Sequence, residues 1–108
     1  MANTFKLKTK ANVGVSTSNV YVVPSASTTV VIGVTLANTT GSSINVGIGI
    51  NRGANDDVKL MKNVPIPQGS SFEFMAGNKV VLETTDTFTA ESDVNNSLDV
   101  ALTIMEIT

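Results

Sequence analysis

From Val30 to Ala37 the apolar residues Val30, Ile32, Val34 and Leu36 alternate with Val31, Gly33, Thr35 and Ala37. Ile44, Val46, Ile48 and Ile50 repeat the pattern against Asn45, Gly47, Gly49 and Asn51. Leu98, Val100, Leu102 and Ile104 give it a third time. Successive side chains of a strand leave on opposite faces, so a period of two predicts half-buried strands. Shorter candidates are Thr4–Lys10, Asn19–Val23, Val58–Met61, Ser71–Met75, Lys79–Glu83 and Thr87–Glu91. Turn signals separate them. Asn38–Ser43 reads as a hairpin loop between the two longest strands, Arg52–Asp57 as a tip, and Gly77-Asn78 as another hairpin. Pro24 ends one strand because proline cannot donate to a ladder, and Pro65-Ile66-Pro67-Gln68-Gly69 is extended chain entering a turn. Gly47 and Gly49 mark close approach of another backbone to that sheet face. No segment has a helical period. The pattern predicts one all-β domain over 1–108, an antiparallel β-sandwich of about eight strands for which a jelly roll is one topology. Residues 1–12 form its basic N-terminal strand or arm.

Composition sharpens this. Val, Ile and Thr supply 36 of the 108 residues, and β-branched side chains suit a pleated surface. Only 15% of residues are charged, and Cys, His and Trp are absent. That removes disulfides, thiolate nucleophiles, zinc–sulfur sites and the commonest general base. No catalytic, cofactor or metal site is expected. The net charge of −2 is too small to suggest nucleic acid, and no apolar run approaches a membrane span. The start, MANTFKLKTK, has no apolar stretch of signal-peptide type.

The charge is unevenly placed. Residues 1–62 sum to +4 and residues 63–108 to −6, which strands interleaved from both halves would mix in space. Lys6, Lys8 and Lys10 would project together from one strand, either as a docking edge for an acidic partner or as a guard against edge-to-edge aggregation. Tyr21 is either a surface platform or a core residue with its hydroxyl at the rim, and the Phe residues read as core. Arg52, Asn55, Asp56 and Asp57 gather polar groups in the tip, and Glu91, Asp93 and Asn95 alternate oxygen donors. Neither segment has the spacing of a calcium loop, and both read as solvated turns.

One stretch is more specific. Val58–Glu83 reads VKLMKNVPIPQGSSFEFMAGNKVVLE, and it is followed by TTDTFTAES and SLDVALTIMEI. With the earlier TTVVIGVTLANTTGSSINVGI, residues 19–108 resemble small virion structural proteins of tailed bacteriophages, including those infecting cyanobacteria. The loop Asn51–Asp57 departs from that pattern by its length. The resemblance implies a non-enzymatic protein of the virion, made in the host cytoplasm. Capsid decoration or cement is the expected role, as a homotrimer bound to the major capsid protein or other virion proteins. Lys6, Lys8 and Lys10 would dock it, with Tyr21, Arg52, Asn55, Asp56 and Asp57 as further contacts. A tail, neck or fibre component is the alternative in the same class, and a carbohydrate-binding or adhesion module the alternative outside it.

Overall fold

Nine strands follow one another: β1 (Asn3–Val13), β2 (Ser18–Val22), β3 (Thr28–Asn38), β4 (Ile44–Asn51), β5 (Asp57–Ile66), β6 (Ser71–Phe74), β7 (Val80–Leu82), β8 (Thr87–Ser92) and β9 (Leu98–Ile107). The structure, a computed structural model, describes residues 3–53, 57–74 and 80–108. Asn55, Asp56 and the Gly77-Asn78 turn lie outside the described residues. One sheet has the order β1-β9-β3-β6, with β7 also paired to β3, and the other has the order β2-β8-β4-β5. β6 and β7 meet different stretches of β3, Val34–Ala37 and Thr29–Val31, so they share one strand position. The eight positions, four in each of two antiparallel sheets, make a sandwich with jelly-roll topology. Each sheet takes strands from both halves of the chain, so the basic and acidic halves interleave. Among the described residues no helix is long and apolar enough to cross a membrane.

The inner faces supply the core. Ile44, Val46, Ile48 and Ile50 of β4 and Leu98, Val100, Leu102 and Ile104 of β9 are buried, as their alternation predicts. They pack with Val13, Tyr21, Val23, Leu82 and Phe88. Phe5 departs from the expected core role and is 70% exposed. The expectation for Phe72 and Phe74 lies outside the described side chains.

β3 departs from its simple alternation. Thr29 and Val31 are buried in its first half, and Val34, Leu36 and Asn38 in its second. Val31 pairs with Ile104 and Gly33 with Thr103, so Ile32 is one residue too many. This bulge switches the inward face midway along the strand. Val30 and Ile32, which the sequence pattern puts on the face of Val34 and Leu36, are not among the buried core residues.

Asn38–Ser43 is an arch between sheets, not a hairpin loop, because β3 and β4 belong to different sheets. The buried Asn38 organises it. Its amide nitrogen donates to the carbonyls of Ser42, Ile66 and Pro67 at 2.8, 2.9 and 3.2 Å, and its oxygen accepts from the Thr40 backbone N–H and hydroxyl. Pro65 is tolerated within β5 because β5 is an edge strand.

Gly47 and Gly49 do sit where a backbone comes close, that of the neighbouring strand in the same sheet. A Cβ would lie 3.1 Å from the Met61 carbonyl oxygen at Gly47 and 2.7 Å from that of Val58 at Gly49. The β4–β5 register shifts on both sides of Ile48. The glycines also leave space over β4 for the 2.7 Å ion pair between Lys59 of β5 and Glu91 of β8. Gly49→Ala is expected to cost roughly 1–3 kcal/mol, the usual range for overpacking against a fixed group. Gly41→Ala, whose added Cβ meets nothing within 4 Å, is the control. Urea denaturation of the two variants measures the difference.

Candidate functional site

β1 is hydrogen-bonded along β9 from Asn3 to Lys10, yet of its eleven residues only Val13 is buried. Its register explains which way the lysines point. Lys6, Lys8 and Lys10 lie opposite Ile104, Leu102 and Val100, the buried residues of β9, so all three ammonium groups project from the inner side of the sheet. The facing edge strand, β2, has five residues and covers little of that side. The lysines therefore line the open margin of the sandwich.

A polar seam closes the core beneath them. Lys6 Nζ is 2.8 Å from Glu106 Oε1. Tyr21 donates its hydroxyl proton to Glu106 Oε2 at 2.5 Å and accepts from the Thr29 hydroxyl at 2.8 Å. Lys8 Nζ lies 5.9 Å from the centre of the Tyr21 ring, within cation–π reach. Tyr21 is thus a core residue, 6% exposed, with its hydroxyl held at the margin. Lys6 holds the Glu106 carboxyl below its ordinary value, and the Tyr21 hydrogen bond adds to this. Burial, followed by the hydrogen bond to Glu106, pushes the Tyr21 hydroxyl up to about 12. A buried acid is tolerable here because a cation and a donor meet its two oxygens.

Lys6, Lys8 and Tyr21 come together in this way, with Lys10 farther along the same margin. Arg52 lies elsewhere. Its Nε donates to Asp86 at 3.1 Å and its Nη2 to Glu83, tying the end of β4 to the turn before β8. Asp86, buried, also accepts the Glu83 backbone N–H at 2.9 Å and so closes that turn. These contacts, Asp86 first and Glu83 next, raise the Arg52 pKa. Asp57 is exposed at the base of the β4–β5 hairpin opposite Asn51, and Asn55 and Asp56 lie outside the described residues. Glu91 is taken by Lys59, Asp93 accepts the Asn45 backbone N–H, and Asn95 faces the Val15 N–H, so these alternating donors serve separate strands. Among the described residues no three acidic groups converge as a metal would require.

The partners Glu106 and Thr29 were not singled out in the sequence, although Glu106 carried a signal. It is the next inward position after Leu98, Val100, Leu102 and Ile104, where an acid demands a cation.

No protein-family model and no curated protein matches the chain. Solved structures do. One is a chain of the disulfide-linked pili that form Bacillus endospore appendages, with a TM-score of 0.59 and 14% identity, covering 99% of this chain and 87% of that one. Another belongs to the acidic stable capsid structure of Helicobacter pylori bacteriophage KHP30, with a TM-score of 0.57 and 13% identity, covering 100% of this chain and 94% of that one. At these identities the likeness is one of fold. The present chain has no Cys and cannot form disulfide links.

The seam predicts two limbs of pH dependence. The lowered Glu106 pKa contributes stability that is complete above the carboxyl's unfolded value of 4.5 and is lost as pH falls through the folded value. Glu106→Gln should therefore flatten the acid limb of a stability–pH curve. Tyr21 has the opposite sign. Its contribution is complete below 10.0 and lost as pH rises through about 12. Tyr21 is the single tyrosine, so phenolate absorbance reads it directly. A midpoint near 10 in the folded protein would contradict the buried hydroxyl.

Proposed function

We propose that the chain is a non-enzymatic structural protein of a tailed-bacteriophage virion, a decoration or cement protein that grips the major capsid protein through the β1 edge. The observation that carries this reading is β1 itself. An eleven-residue strand is left accessible on both faces, with three lysines in a row along one of them. An acidic partner surface would fit both the charge and the shape of so long an uncovered edge. The fold it shares with a phage capsid chain supports the same reading. Lacking Cys, the chain cannot assemble through disulfide links.

A tail, neck or fibre component is the second reading, and the likeness to a pilus chain is what favours it. Particle imaging separates the two by position. A glycan-binding module draws no support from Tyr21, whose ring is buried and cannot serve as a platform.

Binding to capsids assembled from the cognate major capsid protein tests the edge. Lys6 is already engaged by Glu106, so the informative variant is Lys8→Ala with Lys10→Ala. Co-sedimentation should show roughly tenfold weaker binding than wild type, with wild-type occupancy falling as salt rises. Undiminished occupancy would remove the β1 lysines from the interface.

A further inference from the structure

The outer face of the larger sheet is unlike the rest of the surface. Its cross-strand rows can be read from the register. Asn3, Ile107 and Thr28 form one row, and Phe5, Met105, Val30 and Val81 the next. Leu7, Thr103 and Gly33 follow, then Thr9, Ala101, Thr35 and Glu73, then Asp99, Ala37 and Ser71. The second and third rows carry large apolar side chains in water, with Phe5 70%, Leu7 65% and Val81 59% exposed. The fourth and fifth carry small ones. There a shallow groove of about 230 Å³ is lined by Thr9, Ala11, Thr35, Ala37 and Ala101 together with Lys10, Asp99 and Val100. Among the described residues no lysine or arginine stands on these rows, and the acids are confined to Glu73 and Asp99.

We infer that this face binds a second copy of the chain, sheet against sheet about a two-fold axis running across the strands through Leu7. The axis reverses the order of the rows. Phe5 and Met105 of one copy then lie over Thr9 and Ala101 of the other, large against small, and each apolar row fills the other copy's groove. Leu7 meets Leu7, and Gly33 lets the sheets approach. The acids of each copy fall over the apolar end of its partner, so no two carboxylates meet. Asp99 already accepts the Asn12 backbone N–H at 3.0 Å, and Glu73 stands on an edge strand at the rim.

The size is sufficient. Strand positions about 4.8 Å apart and residues about 3.4 Å apart give the face roughly 500 Å² per copy, or about 1,000 Å² in the pair, where specific interfaces begin. Lys6 and Lys8 project from the other side of the sheet, and Lys10 alone of the β1 lysines also lines the groove, so variants that leave Lys10 unchanged separate this contact from the capsid reading above.

Sedimentation equilibrium of the full chain tests it. Wild type should show a concentration-dependent species of twice the 11.3 kDa chain mass. Leu7→Lys places like charges on the axis and should weaken the dimer at least tenfold, with an unchanged thermal melt at concentrations where the wild type is monomeric, while Lys8→Ala, on the inner side of the sheet, leaves it intact. Leu7→Cys, the sole cysteine in that variant, should give a covalent dimer with a short bis-maleimide. A monomer at about 200 µM would overturn the inference. So would the homotrimer that the family resemblance implies, association indifferent to Leu7→Lys, or failure of Leu7→Cys to cross-link. Leu7 shielded only on capsids, with the free chain monomeric, would assign the face to another protein.

Discussion

A single extra residue in β3 governs what both sides of the larger sheet present. Ile32 has no partner of its own between the Val31–Ile104 and Gly33–Thr103 pairs. Before it, Thr29 and Val31 turn inward, and after it Val34, Leu36 and Asn38 do. With no bulge, Val30 would enter the core and Thr29 would leave it. The Tyr21 hydroxyl would then lose its donor, and the outer apolar row would lose Val30 from its centre. The core, the polar seam and the outer face all depend on this one irregularity, because strand side chains have a period of two and one insertion inverts everything beyond it.

Several of the scarce charges form joints between strands. Lys6 joins Glu106 across β1 and β9, Lys59 joins Glu91 over β4, and Arg52 joins β4 to the Glu83–Asp86 turn. Each pair links residues far apart in the chain. Among the described residues, every buried side-chain nitrogen or oxygen has a partner. The acidic sides of these pairs come mainly from the second half of the chain and the basic sides from the first. The sequence asymmetry of +4 against −6 is therefore in part the signature of pairing within the molecule.

Much of the architecture was legible in the sequence where packing follows alternation without interruption. β4 and β9 bury the residues their pattern names, and the glycines of β4 mark a close backbone. The first half of β3 was not legible, since a bulge leaves no trace in a binary pattern. The Asn38–Ser43 arch looked like a hairpin because turn chemistry does not reveal whether the next strand joins the same sheet. Phe5 was read as core on residue type alone, but an edge strand with its lysines inward must turn its apolar side out. The seam was half visible. Lys6, Lys8 and Tyr21 could be named, whereas Glu106 and Thr29 join them only through pairings that span most of the chain.

The strand that completes the larger sheet is the last one in the sequence. β9 lies between β1 and β3, bonded to both along nearly its whole length. During synthesis those two strands must wait, unpaired with each other, until Leu98–Ile107 has left the ribosome. Closure is then a long-range event whose loop entropy must be met before any of its contacts form, so folding is expected to be slow for a chain of this size. Through that interval the alternating lysines of β1 guard an open edge against the wrong neighbour.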